Sequence, residues 1–252
     1  QDLWCLTMLS ATDSSLFNFA TVYIRFARWL LGPLYVMMVL ALYGVFLYAP
    51  TEKEMGEVQR IFYFHVGAAW NAFFAFFIVF LSGVIYLIVR KKKWDHLAAA
   101  SAEVGVIFTT IVLCTGPIWA KPVWNTWWPW GDPRVMTTMV LWLIYVSYLI
   151  LRTSLPDGEK KYKYCAVFGI IGFLDVPIVW FSIRLWRTIH PVVITKSGAQ
   201  LEPEMTQVLM LSVATFTLLY IVLVAIGMAL RLNASLLDEL TQKALDSRIK
   251  QA

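Results

Sequence analysis

Charge is scarce in this chain. Only 15% of its 252 residues are Asp, Glu, Lys or Arg, against about 25% in soluble globular domains. With a mean hydropathy of +0.67, that shortage excludes a water-soluble domain. Cysteine is scarce too: Cys5, Cys114 and Cys165 are odd in number and far apart. No C-x-x-C pair is present, which argues against thiol redox work, and no C-x-x-C-H is present, so the chain is not itself a c-type cytochrome. It lacks a G-x-x-x-x-G-K-[ST] loop, so any use of ATP would have to come from a partner. There is no internal repeat and no low-complexity linker. Residues 1–27 contain Asp2 and Asp13 and lack a basic leading segment, so they do not read as a cleavable signal peptide. Histidine occurs only at positions 65, 96 and 190.

What is present is apolar sequence in runs of about 20 residues, the length a helix needs to cross the hydrocarbon core of a bilayer. We expect an all-α, polytopic membrane protein with six spans, roughly 29–49, 66–89, 98–118, 135–151, 163–183 and 206–230. The loops are short, so consecutive helices are expected to be antiparallel neighbours. Residues 1–28 then form an N-terminal segment, 29–230 one membrane domain, and 231–252 a tail. Leu236, Leu237, Leu240, Ala244 and Ile249 stand among charges in that tail. It reads equally as a short amphipathic helix along a membrane or partner, or as a frayed, solvated helix.

The net charge is +5, but its placement does not point to nucleic acid. Arg25, Arg28 and three clusters, at 90–93, 152–163 and 231–250, put fourteen basic residues on one side of the six-span plan, and seven remain on the other. The positive-inside rule assigns the richer side, and both termini, to the cytoplasm.

Three segments then lie outside. In residues 50–65, Met55, Val58, Ile61, Phe62 and His65 recur at helical spacing, and Thr51 with Glu54 resembles a capping box. This predicts a short amphipathic helix on the outer surface leading into the second span. The second segment holds five tryptophans, Trp119, Trp124, Trp127, Trp128 and Trp130, broken by Pro122, Pro129, Gly131 and Pro133. It reads as a non-helical, flat aromatic surface at the membrane boundary. The third is 184–205, where Trp186 and His190 share a face if the fifth span continues as a helix that far.

Interfacial anchoring accounts for one or two tryptophans in such a loop; five within twelve residues exceed it. An indole offers a rigid face to another flat π-system. A porphyrin is such a system, its two propionates suit Arg or Lys, and its iron commonly takes axial histidine. Lys121, Arg134, Arg184 and Arg187 are on the correct side for propionates, although each also suits ordinary headgroup contact. His65 and His190 sit at similar depth on that side, and each reads evenly as an axial ligand or as an interfacial histidine bonded to backbone. His96, in the basic cytoplasmic loop, reads as solvated. Glu103 and Asp175 are intramembrane acids, read as structural or partner-contacting, with a kink expected near Pro177; Asn71 suits a helix–helix hydrogen bond.

Several motifs resemble one family. Thr115-Gly-Pro-Ile-Trp119, Trp124, Trp127-Trp128-x-Trp130 and Asp132 are similar to the tryptophan-rich signature of haem-handling proteins in cytochrome c biogenesis. Further matches are Arg60-Ile-Phe-Tyr-Phe-His65-Val-Gly-Ala-Ala-Trp70, Pro177-Ile-x-x-Phe-Ser182, Trp186, Thr188 and His190-Pro. With six spans, the chain resembles the haem exporter protein C family (CcmC) from about residue 29 to 230. The resemblance implies a carrier rather than an enzyme, set in the bacterial cytoplasmic membrane. It implies transient binding of haem b on the outer face and delivery to a membrane-anchored haem chaperone. It also implies partnership with an ATP-binding cassette ATPase, that ATPase's membrane subunit and a small single-span subunit. The family's axial ligands fall on His65 and His190, and its haem platform on Trp119 to Asp132. There is one departure: the family pattern has Trp followed directly by Asp, whereas Gly131 here separates Trp130 from Asp132.

Two other functions fit six apolar spans. A b-type electron-transfer subunit usually needs histidines at several depths, and only His65 and His190 are available, both outer. A haem transporter or channel needs polar residues lining a path, and only Glu103, Asp175 and Asn71 offer any.

Overall fold

A computed structural model describes residues 11–186, 194–195, 198–199 and 201–249. Its helices are α1 (Ala11–Tyr43), α2 (Arg60–Val89), α3 (Lys92–Trp124), α4 (Pro133–Ser154), α5 (Glu159–Phe173), α6 (Asp175–Leu185) and α7 (Pro203–Ile249). One π-turn, Gly44–Tyr48, extends α1, and the pairs Ile194–Thr195 and Gly198–Ala199 form a minimal antiparallel ribbon before α7. Among the described residues six segments are long and apolar enough to cross a membrane: Phe19–Tyr48, Glu57–Val89, Lys92–Trp124, Pro133–Ser154, Glu159–Leu185 and Pro203–Ile249. The fifth combines α5 and α6, which break at Leu174, three residues before Pro177. The expected kink lies there.

The long antiparallel pair α2 and α3 forms the centre, with α5 and α7 against α2, and α4 against α3 and α6. Small residues allow this closeness. A Cβ at Gly105 would come within 2.6 Å of Phe76 Cε1, and Phe76 in turn stacks on Tyr145 with ring centroids 3.7 Å apart. Where lipid is as apolar as any side chain, close backbone approach and interhelical hydrogen bonds hold helices together. Ser101 Oγ donates to the carbonyl of Ala75 (2.7 Å) and lies 2.8 Å from the Tyr220 hydroxyl, joining α3, α2 and α7. Asn71 Nδ2 donates to the carbonyls of Gly67 (2.9 Å) and Val213 (3.4 Å), the helix–helix bond its sequence suggests.

Four features depart from expectation. The first span does not lie along the second; α1 runs antiparallel to α7, with Ala27, Leu34, Val222 and Ala225 clustered between them. It also begins earlier than residue 29, since α1 is helical from Ala11. The tail is no separate helix but the end of α7, whose 47 residues meet no Gly or Pro after Gly227. At about 1.5 Å per residue it is about 70 Å long, roughly twice the hydrocarbon thickness of a bilayer. In place of a surface helix over 50–65 there is a turn. Glu52 Oε2 accepts from the amides of Glu54 (2.8 Å) and Met55 (2.5 Å), while the Thr51 hydroxyl donates to Glu57, so the Thr51–Glu54 capping box does not form. One 3-10 turn, Glu57–Gln59, follows, and the spanning helix starts at Arg60. Finally, His96 is buried, with Nε2 3.4 Å from Ser235 Oγ, rather than solvated.

Candidate functional site

One end of the bundle carries the tryptophans and the other the basic clusters. At the tryptophan end α2, α3, α4 and α6 splay around a cavity of about 190 Å³. Helical periodicity selects its walls. On α2, Phe62, His65, Ala69, Trp70 and Phe73 fall on one stripe; on α3, Thr109, Val112, Gly116, Ala120 and Trp124 do the same.

The tryptophan segment is not a single loop. Helix α3 continues through Pro117 and Pro122 to Trp124 and stops at Asn125, in the left-handed region (φ 55°). Proline has no N–H to give the preceding turn, so this helix end lacks two of its usual bonds, yet packing keeps it helical. Lys121 Nζ reaches Asn125 Oδ1 (3.1 Å) and closes the helix end. Trp119 and Trp124 are therefore helical residues, while Trp127, Trp128 and Trp130 belong to the loop. Nor is the surface flat. Trp119 and Trp124 meet edge to face at 5.1 Å and 75°, and Trp128 and Trp130 at 6.0 Å and 61°. Trp119 is buried, Trp127 and Trp130 are exposed, and Trp128 Nε1 is buried with no hydrogen-bond partner among the described residues.

Of the residues singled out in the sequence, His65, Trp119, Trp124, Trp127, Trp128, Arg134 and Arg184 line this cavity. Trp130 lies beside it, touching through Trp128. Asp132 is buried and caps α4, accepting the amides of Arg134 (3.0 Å) and Val135 (3.2 Å), with Pro133 at the first helical position. Trp186 ends α6 in extended conformation, so the helix does not carry on toward His190. Arg187 and His190 lie outside the described residues.

Two tryptophans that line the cavity were given no role by sequence reasoning. Trp70, one residue past the end of the α2 turn after His65, and Trp180 on α6 meet edge to face at 6.0 Å across the cavity wall. Trp180 stands one helical turn before Arg184 and so shares its face; that spacing was the available signal. His65 Nδ1 lies 2.9 Å from Thr115 Oγ1 on α3. Chemically the cavity offers an apolar aromatic wall, one imidazole and two guanidinium groups. Among the described residues no group of three or more His, Cys, Asp or Glu gathers that could hold a bare metal ion. The set fits a flat, metal-centred, anionic molecule such as haem.

The family model described as heme exporter protein C matches residues 10–243. The heme exporter protein C of Escherichia coli K12 is 31% identical over 194 residues, covering 77% of this chain and 78% of the relative. A ccmC-like mitochondrial protein of cytochrome c biosynthesis from Marchantia polymorpha is 30% identical over 201 residues, 79% of this chain and 85% of the relative. The heme exporter protein C of Bradyrhizobium diazoefficiens is 29% identical over 208 residues, 82% and 78% respectively. The chain belongs to the haem exporter protein C family.

Proposed function

We propose that this chain holds haem in the tryptophan-end cavity, at the outer face of the cytoplasmic membrane, and passes it on during cytochrome c biogenesis. The observation that carries the reading is the convergence of His65, four signature tryptophans, Arg134 and Arg184 on one cavity at one end of a membrane bundle. His65 supplies one axial ligand, and His190, on the strength of its sequence motif alone, the second. The indoles and Trp70 bound the porphyrin, and Arg134 and Arg184 pair with its propionates. Exposed Trp127 and Trp130 leave the mouth accessible, which suits a donor that must release its cargo to a membrane-anchored chaperone by ligand exchange. The excess of basic residues at the opposite end supports cytoplasmic termini. With no ATP-binding loop of its own, the chain works beside an ATP-binding cassette ATPase with its membrane subunit, and a small single-span subunit.

The test is the visible spectrum and pyridine haemochrome content of the purified protein. Wild type carries b-type haem, and His65→Ala and His190→Ala each lose most of it. Variants that keep haem with an unchanged spectrum would show that the iron is held elsewhere.

A further inference from the structure

We infer that Thr115 is the positioning residue for His65, fixing the tautomer and plane in which its imidazole meets iron; this rests on the reading that His65 ligates haem. Thr115 Oγ1 has three polar neighbours: the carbonyl of Ile111 at 2.7 Å, the carbonyl of Val112 at 3.3 Å and His65 Nδ1 at 2.9 Å. A hydroxyl owns one proton, and a carbonyl oxygen only accepts. The proton therefore goes to the α3 carbonyls, and Oγ1 is left to accept from Nδ1–H. In a neutral imidazole, protonation at Nδ1 puts the lone pair on Nε2. The backbone of α3 thus dictates which nitrogen of a side chain on α2 can bind metal. This is the outer hydrogen bond that metal-binding histidines generally require, supplied here by a threonine whose own rotor is pinned one turn back along its helix.

Gly116 lies against the same ring. A Cβ placed there would stand 3.6 Å from His65 Cε1, the carbon between the two nitrogens, an ordinary van der Waals distance. The short stretch Thr115-Gly116 of α3 thus faces the imidazole, and Thr115 holds its Nδ1 corner.

A purely structural tie between α2 and α3 would predict a stability effect only. The discriminating set is Thr115→Val, which keeps the shape and removes the hydroxyl, and Thr115→Ser, which keeps the hydroxyl, with His65→Ala as control. Haem titrated into the purified proteins is followed by absorption and by ferric EPR. We expect Thr115→Val to weaken haem retention about 10-fold or more, the usual cost of losing such an outer partner. Its low-spin EPR signature should also shift, and Thr115→Ser should stay near wild type on both readouts. The inference is overturned if Thr115→Val matches wild type on both while His65→Ala loses haem, or if Thr115→Ser fails as badly as Thr115→Val. Should Thr115→Val not accumulate, Thr115→Ala is read by the same criteria. If His65→Ala itself keeps its haem unchanged, it is the underlying ligand assignment that fails.

Discussion

The two ends of this molecule handle charge in opposite ways. At the basic end, a second cavity is lined by Lys92, Asp95, His96, Glu103, Arg152 and Arg231, and its charges are spent on one another. Arg152 donates to both Asp95 oxygens, at 2.7 and 2.6 Å, with Asp95 only 3% exposed. Arg231 meets Glu103 at 2.5 Å and Lys92 meets Asp157 at 3.0 Å. Partial burial pushes the Asp157 carboxyl up, but bonds from the Tyr162 hydroxyl and Lys92 outweigh it and hold the group below the usual carboxylate range. At the tryptophan end, Arg134 and Arg184 make no salt bridge among the described residues, and the wall around them is aromatic. Helices α3 and α4 contribute to both cavities. Their charges stabilise the fold at one end and stay available to a ligand at the other.

The sharpest way to break this contrast is to remove Arg152. Asp95 would then be a buried charge without its partner, and breaking a buried pair from one side costs about 3–5 kcal/mol. Arg152→Ala should therefore lower the thermal midpoint in detergent more than any single substitution at the tryptophan end. The haem spectrum of whatever protein remains folded should be unchanged. Replacing both partners with apolar residues of similar volume should recover much of the loss, because the pair itself contributes little beyond neutralising two buried charges. A changed haem spectrum in Arg152→Ala would show that the two ends are coupled, and the division drawn above would fall.

The mirror experiment is Arg134→Gln and Arg184→Gln. If these cations are held for propionates, losing one forfeits a charge-assisted contact of about 1.5–3 kcal/mol, which is roughly a tenfold or greater drop in haem affinity. Arg134 is half-buried and Arg184 exposed, so the Arg134 effect should be the larger, and the Arg184 effect should fade with added salt. Thermal midpoints of the haem-free proteins should barely move. Haem titrations that superimpose on wild type for both variants would leave the two guanidinium groups with ordinary headgroup contact.

Much of this contrast was legible in the sequence, and the missed parts share a cause. Apolar runs mark spans because the bilayer imposes their length, and the basic clusters mark one end because they avoid crossing it. His65 and the tryptophans could be assigned to one depth for the same reason. Neighbour choice was not legible. Ala27, Leu34, Val222 and Ala225 are ordinary apolar residues, and in lipid nothing in hydropathy separates a helix-facing residue from a lipid-facing one. Pro122 was read as a breaker, but α3 tolerates it, as it does Pro117, where neighbouring helices support its end. His96 is buried against Ser235, on the part of α7 that continues beyond its apolar run, and that continuation was hidden by the assumption that a helix ends where hydropathy does. Trp180 was missed because a lone tryptophan in a span gains meaning only once Trp70 stands 6.0 Å away.

Asp132 gives the smallest and most discriminating test of the comparison. It is the acid of the tryptophan signature, displaced one step by Gly131. Its burial and its two amide bonds tie its carboxylate to the backbone of the first turn of α4. Gly131 is exposed, with nothing within 4 Å of where its Cβ would stand, so the extra residue is absorbed in the turn without disturbing the cap. Asparagine caps helices about as well as aspartate, whereas alanine loses about 1 kcal/mol. Asp132→Asn should thus keep both thermal midpoint and haem affinity, while Asp132→Ala should lose about 1 kcal/mol and, because the cap sets the first turn bearing Arg134, a few-fold of haem affinity. If Asp132→Asn loses haem as severely as His65→Ala while its midpoint is intact, the negative charge itself acts on the cargo. The tryptophan end would then use on its cargo the same acid that caps α4.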